Sequence, residues 1–523
     1  MNSSTLSAPP TRFSPLTRAH ESTSAFSLAH LIPAILALLA TYNFFRGRKA
    51  AQLHKRIPGP RALPLLGNLL DWPSEHQGNS MQVWAERYGP ITKLSILGKN
   101  ILFLTSTQTI TDIFSKQSAV FSDRPQLVFS QELCGMDVLH PMTQYGPDFR
   151  EQRKFMKEVL APEVQKRHEG LLAEEGRRLL RATFDNPKDA VRYLRRFSTS
   201  FALRMVYGLP PLEIDDPDVL LAEEMMAVSE YAIVGGWAVD FIPSLKHLPS
   251  WIPFKRRAQY YRAKINEMMS KPWEAVKQQV MDGTATESFC SINMQKFVDG
   301  TSKHTEILVK ATAAAIYGAA SDTAACASHN FLLAMLLHPD VQTKAQTELD
   351  RVVGHDRLPC MADKARLPFL VSVVWEVLRW APPVPVAIPH RSRADVEFDG
   401  YMIPEDSMLL ASLYSMSRDP AVHTSVDDFN PERFLGDKPE PQPHYAFGVG
   451  PRRCPGADLA VNQLFLQVAY ILSCFNIKPA LDENGAEIIP VPTFSGKMVR
   501  TPDEFPFVME ARYAGVERLF MSS

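Results

Sequence analysis

Apolar residues recur every three or four positions along most of this chain, the spacing of helices that bury one face, and alternate with polar residues only in short runs. Helical spacing covers residues 81–88, 107–116, 162–183, 255–270 and 459–475. The longest unbroken pattern, Glu306–Leu337, would extend about 48 Å as one helix. It stops at His338-Pro339, where proline removes the next N–H and crowds the residue before it. Residues 91–97 and 101–105 read as strands joined through Gly98-Lys99-Asn100, and Asp399-Gly400 reads as the turn of a second hairpin. No internal repeat or low-complexity block breaks the pattern. The expectation is a mainly α chain with small β-sheets, forming one large domain over residues 65–523.

Upstream the pattern changes. Residues 25–45 carry no charge and are rich in Leu, Ile, Ala and Phe; as a helix they would span about 30 Å, the depth of a bilayer core. His30, Pro33 and Asn43 interrupt the stretch, which leaves a tilted or interfacial helix as the alternative, and no small-residue cleavage site follows. Arg46, Arg48, Lys49, Lys55 and Arg56 come after it without an acid, against Arg12, Arg18 and Glu21 before it. That bias places the bulk of the chain in the cytosol. The prediction is a short lumenal tail over 1–24, a transmembrane anchor over 25–45 and a basic, proline-rich hinge over 46–64, stiffened by Ile57-Pro58-Gly59-Pro60.

Charge and cysteine usage narrow the partners. The 523 residues hold 56 Lys and Arg against 57 Asp and Glu, and a nucleic-acid binder would show a basic excess. The six cysteines show no CxxC pair and no zinc spacing, which points to a reducing compartment rather than a disulfide framework.

One cysteine is set apart by its neighbours. Phe447-Gly448-Val449-Gly450-Pro451-Arg452-Arg453-Cys454-Pro455-Gly456 presents it on a Gly/Pro-stiffened loop behind two arginines and ahead of a helical segment, so cations and backbone N–H groups surround the sulfur. A cysteine taken alone is more often an inert core residue. Within Glu306–Leu337 the run from Ala311 to Ala325 is almost without bulk, interrupted by Asp322 and Thr323. Close helix packing explains small residues, but a buried carboxylate is costly without a partner or a task. Ala319 and Thr323 lie one turn apart on one face. Glu376 and Arg379 sit three apart in an apolar helix, and Asn430-Pro431-Glu432-Arg433-Phe434 offers a second arginine to the same acid.

These motifs, in this order over roughly residues 57–515, resemble the cytochrome P-450 family of haem-thiolate monooxygenases, in the style of its fungal microsomal members. The resemblance implies haem b with Cys454 as axial iron ligand. It sets Phe447, Gly448, Gly456 and Ala319 against the ring, and Arg124, Arg153, His390 and Arg452 at the propionates. Asp322 and Thr323 become the proton-delivering catalytic pair, and Glu376, Arg379 and Arg433 a structural cluster supporting the cysteine loop. Three positions depart from the family pattern: Phe149 stands where tryptophan is usual, Ala320 where glycine is, and Ala324 where a hydroxyl is. The first removes an N–H donor and shifts haem retention toward Arg124, Arg153 and His390; the second makes a local opening of the helix more costly.

The same resemblance implies a single-pass enzyme of the endoplasmic reticulum membrane that oxidises a lipophilic small molecule with dioxygen and NADPH-derived electrons, in secondary metabolism and with a terpenoid scaffold as one candidate. No flavin or nicotinamide motif is present in the sequence, so the electrons come from a separate flavoprotein reductase docking near Arg150, Arg153, Lys154, Lys157 and Arg453. The alternatives are a haem-thiolate isomerase or dehydratase needing no external electrons, and a non-enzymatic haem protein; retention of Asp322 and Thr323 favours the monooxygenase. Candidate pocket walls are residues 126–145, 231–251, Ala315, Ala319, 384–387 and 493–495. Phe241-Ile242-Pro243 and Trp251-Ile252-Pro253-Phe254 are candidate membrane contacts.

Overall fold

The computed structural model describes residues 55–234 and 236–521. The expected lumenal tail, the anchor and most of the hinge lie outside the described residues. The long helices are α1 (Gln77–Tyr88), α2 (Pro147–Leu160), α3 (Glu169–Asp185), α4 (Ala190–Tyr207), α5 (Pro217–Val234), α6 (Pro253–Met281), α7 (Glu306–Leu337), α8 (Pro339–Val352), α9 (Pro368–Trp380) and α10 (Ala457–Cys474). The strands are β1 (Ile91–Ile96), β2 (Lys99–Leu104), β3 (His390–Arg391), β4 (Val396–Phe398), β5 (Tyr401–Ile403), β6 (Met408–Ala411), β7 (Phe475–Leu481), β8 (Glu487–Ile488) and β9 (Phe507–Ala511). They make three small sheets, in the orders β1-β2-β6-β3, β4-β5 and β8-β7-β9. The mainly α expectation with small sheets is what the structure shows. Among the described residues Lys55, Arg56 and Glu397–Met402 group as a small unit of their own; in it the Lys55 N–H donates to the Gly400 carbonyl at 2.9 Å.

The main unit is organised around α7. From Ala325 to Leu336 every residue of this helix is buried, the mark of a core helix rather than a surface one, and α4, α9 and α10 pack on it. It runs from Glu306 to Leu337, as the periodicity predicts. Helix α10 is the one helix among the described residues long and apolar enough to cross a membrane, but it is mostly buried in the core.

Local chemistry redraws several expected boundaries. The 162–183 pattern breaks into Pro162–Gln165, a tight turn at Lys166–His168, and α3. The 107–116 pattern changes from an α-turn to a π-turn at Asp112. Helix α6 runs well past residue 270, through Pro272, whose ring is buried. In the first hairpin the turn is Leu97-Gly98, both at positive φ (47° and 85°), so that Ile96 pairs with Lys99, a step earlier than expected. The parallel pairing of β2 with β6, Ile101 opposite Met408, joins distant segments and leaves no local sequence signal.

Candidate active site

Cys454 occupies the exit of a short loop between a single turn at His444–Phe447 and the start of α10. The loop is pinned from several sides: Cys454 N donates to Phe447 O at 2.8 Å and Arg453 N to Gly450 O at 3.0 Å, while Arg153 Nη1 of α2 donates to Arg453 O at 2.8 Å. Gly448 has φ +80°, which glycine adopts freely. At Gly450 (φ +70°) a Cβ would stand 2.0 Å from the Phe114 carbonyl oxygen, so this glycine is required by close backbone packing rather than by a ligand. A Cβ at Gly456 would stand 4.0 Å from the Cys454 sulfur.

The sulfur is enclosed by protein yet accessible to a water-sized sphere, because it faces a cavity. Burial pushes the thiol above its usual value, against the Gly456 N–H and the charges of Arg153 and Arg453. A cation bound at the sulfur would favour its thiolate form. Among the described residues no group of three or more His, Cys, Asp or Glu side chains is arranged to hold a metal. A metal in this cavity would meet Cys454 and otherwise bring its own ligands.

The cavity's walls sort by chemistry. Helix α7 contributes Ala315, Ala319, Ala320, Thr323 and Ala324, and the chain after α9 adds Pro383, Val384, Ala387 and Ile388. Another part of the lining holds Arg124, His140, His390 and Arg452, and among the described residues no acidic side chain lines any of it. Arg124 donates to the carbonyls of Pro141, Ile388 and Pro389, each at 2.7 Å. Arg452 donates from Nη2 to Thr143 O at 2.7 Å and from Nε to Ser122 O at 2.5 Å, with its guanidinium 4.4 Å over the Phe149 ring. Burial and the charge of Arg452 hold Arg124 well below its usual value; burial pulls Arg452 down to about 10. The nearest carboxylate, Asp123, is committed to Arg391 (2.7 Å), Arg393 (2.9 Å) and the Tyr145 N–H (3.0 Å). One buried and one half-buried guanidinium without a free counter-charge fit a ligand bearing carboxylates at its edge, so the residues present suit a haem with its propionates here.

His390 donates from Nδ1 to the Phe121 carbonyl at 2.7 Å. Arg153 does not line the cavity; its bond to the Arg453 carbonyl puts it behind the cysteine loop. Phe447, Gly448, Gly456 and Ala319 all line it.

On α7 the acid and the alcohol take different directions. Thr323 lines the cavity, and its hydroxyl donates to Ala319 O at 2.7 Å. The helix is continuous here, in keeping with an alanine rather than a glycine at 320. Asp322 is buried and ion-paired to Arg195 of α4, which in turn reaches Glu223 of α5 at 3.3 Å. Burial pushes the Asp322 carboxyl up to about 6, against the pull of Arg195. Sequence reasoning found Asp322 but not Arg195, which no motif marks.

Behind the loop, Glu376 and Arg379 are fully buried and joined by two 2.8 Å bonds, with Arg433 Nε at 3.1 Å from the same carboxylate. These three come together as the spacing suggests. A second cavity, lined by Leu127, Val128, Ile233, Phe241 and Ser495, shares Ala387 and Ile388 with the first. It brings together parts of the expected walls at 126–145, 231–251 and 493–495.

Comparison with known proteins follows the same line. A family model described as Cytochrome P450 matches residues 57–504. The chain is 36% identical over 469 residues to cytochrome P450 monooxygenase claT of Ampulloclitocybe clavipes, covering 88% of this chain and 92% of that one. It is 37% identical over 473 residues to claR of the same fungus, covering 88% and 87%, and 35% identical over 497 residues to cytochrome P450 monooxygenase 208 of Postia placenta, covering 93% and 96%.

Proposed function

The chain belongs to the cytochrome P450 family and is a fungal-type monooxygenase, and on that premise we propose that Cys454 would hold its haem iron as a thiolate, with the substrate oxidised on the α7 side of the cavity. Bound there, a haem would supply dioxygen activation, which a thiolate ligand would assist. The overall change is RH + O2 + 2 e− + 2 H+ → ROH + H2O, so the protein must deliver two protons and admit two electrons. The observation that carries this reading is that, among the described residues, one thiol faces a cavity with the guanidiniums of Arg124 and Arg452 on one part of its wall and Thr323 on another.

Each residue's task follows from its surroundings. Arg124, His390 and Arg452 hold the propionates, while Arg153 steadies the cysteine loop and adds positive charge beside the sulfur. Glu376, Arg379 and Arg433 tie α9 to the 424–440 segment upstream of that loop. Ala315 and Ala319 leave space for substrate, and Val384 to Ile388 give it an apolar wall. The Thr323 hydroxyl is the proton donor at the cavity. Asp322, with Arg195 and Glu223 behind it, links α7 toward the exterior through side chains that carry or stabilise charge.

The substrate we propose is lipophilic, with a terpenoid scaffold of secondary metabolism as the first class to test. Electrons reach the site from an NADPH-dependent flavoprotein reductase, for which exposed Arg150, Lys154 and Lys157 on α2 form a cationic face. An endoplasmic reticulum location, with residues 25–45 as anchor, is supported by the charge bias of the sequence and by exposed Ile242, Leu248 and Trp251. The test is product profiling of a host expressing this chain with a reductase against a panel of lipophilic metabolites. Oxygenated products dependent on NADPH support it; isomerised or dehydrated products formed without electrons overturn it.

A further inference from the structure

We propose that His140 is a further haem-anchoring residue, presenting Nε2 to one carboxylate of the prosthetic group and supplying the contact that Phe149 cannot make. The inference rests on the haem reading above, but it concerns a side chain that no sequence motif marks.

His140 is 8% exposed and lines the cavity together with Arg124, His390 and Arg452. Its ring lies flat against Phe149, with centroids 4.7 Å apart and planes 14° from parallel. Phenylalanine at 149 therefore serves as the platform on which a nitrogen-bearing ring is stacked.

The hydrogen bonds fix which nitrogen is free. His140 Nδ1 is 3.3 Å from Gln152 Oε1, and Gln152 Nε2 donates to the Val138 carbonyl at 2.8 Å. A backbone carbonyl accepts only from the amide nitrogen, so the amide oxygen faces the imidazole and Nδ1 carries the proton. Among the described residues Nε2 has no hydrogen-bond partner.

The charged groups that face this imidazole are all cations: Arg153 from α2, Arg452 from the cysteine loop, and Arg124. Burial, reinforced by these charges, holds the imidazole down at about 3 and thus neutral. A carboxylate brought into the cluster opposes these cations and favours a proton on Nε2. It shares one proton with Nε2, as imidazolium with carboxylate or imidazole with carboxylic acid. A histidine that only filled space would leave Nε2 at the cavity wall among cations, with no acceptor or donor of the protein to meet it.

The experiment measures transfer of haem from the full-length ferric holoenzyme to excess apomyoglobin. H140F keeps the aromatic ring over Phe149 but has no nitrogen, and H140Q keeps an N–H donor. Loss of a charge-assisted hydrogen bond corresponds to transfer about tenfold faster in H140F, with H140Q returning toward the wild-type rate. H140F at the wild-type rate, or H140F and H140Q equally fast, would overturn the proposal in favour of packing. A second readout does not depend on H140F folding. Wild-type haem loss quickens as pH rises and the shared proton leaves, and H140Q removes part of that dependence; His390 is present in both and cancels in the comparison. Identical pH profiles overturn the proposal as well. The spectrum of the reduced carbon-monoxide complex of the same wild-type sample separates the two levels: absence of a thiolate-type band defeats the haem-thiolate reading, whereas a normal band with unaltered H140F retention defeats only this inference.

Discussion

Replacing Glu376 with glutamine should leave two guanidiniums facing a neutral amide where a carboxylate stood. Glu376 and Arg379 are fully buried, and Arg433 is nearly so. The carboxylate accepts from Arg379 Nε and Nη2 at 2.8 Å, from Arg433 Nε at 3.1 Å and from the Asn430 N–H at 2.7 Å. Glutamine preserves shape and one oxygen but turns an NH2 toward a guanidinium. Removing one partner of a buried pair costs about 3–5 kcal/mol. Arg379 keeps its bonds to the Ser417, Val426 and Asp428 carbonyls and Arg433 keeps Glu440 at 3.1 Å, so we expect the lower end, about 3 kcal/mol. Against a total of about 5–15 kcal/mol, that is a large fraction. Urea unfolding of purified protein, followed by circular dichroism, reads it as a lowered midpoint with unchanged slope. The double variant E376Q/R379M should be less destabilised than the sum of the singles, because it removes the orphaned charge as well. A cost for E376Q below about 0.5 kcal/mol, or strict additivity within about 0.5 kcal/mol, would refute the reasoning.

Three further outcomes follow from the site. T323A should still consume NADPH with the reductase while product per NADPH falls and peroxide rises; unchanged coupling would remove Thr323 from proton delivery. With Asp322 pushed up to about 6 by burial, coupling measured against pH should show an inflection near that value, absent in D322N. In R195M it should move higher, since the cation that lowers the carboxyl is gone; an inflection that stays put in both variants would refute the assignment. Asp123 is held down at about 2 from its ordinary 3.8 by Arg393, Arg391 and the Tyr145 N–H, which outweigh burial. Its contribution is present above pH 3.8 and lost as pH falls through 2, so D123N should cost at most about 2.4 kcal/mol at pH 7 and less at pH 3, by urea unfolding at both.

What the sequence made legible is what local patterning controls. Helix α7 was legible because its apolar spacing and its His338-Pro339 stop are both local, and the Cys454 loop because glycine, proline and arginine mark it residue by residue. Glu376, Arg379 and Arg433 were legible through charges placed where only apolar residues belong. The π-turn at Asp112 was not, since α and π hydrogen bonding share one residue pattern over a single turn. The β2–β6 pairing, Arg195 behind Asp322 and His140 over Phe149 depend on contacts between segments far apart in the chain. His140 lay inside an expected pocket wall without distinction, because its role comes from the ring it stacks on and the amide of Gln152.

The central claim is that Cys454 ligates the haem iron as a thiolate, and the most direct measurement is the difference spectrum of the dithionite-reduced protein with and without carbon monoxide. The account predicts the long-wavelength Soret band of thiolate-ligated haem in the wild type and its loss in Cys454→Ala. A folded, haem-loaded wild type lacking that band, or a Cys454→Ala variant that keeps it, would contradict the account.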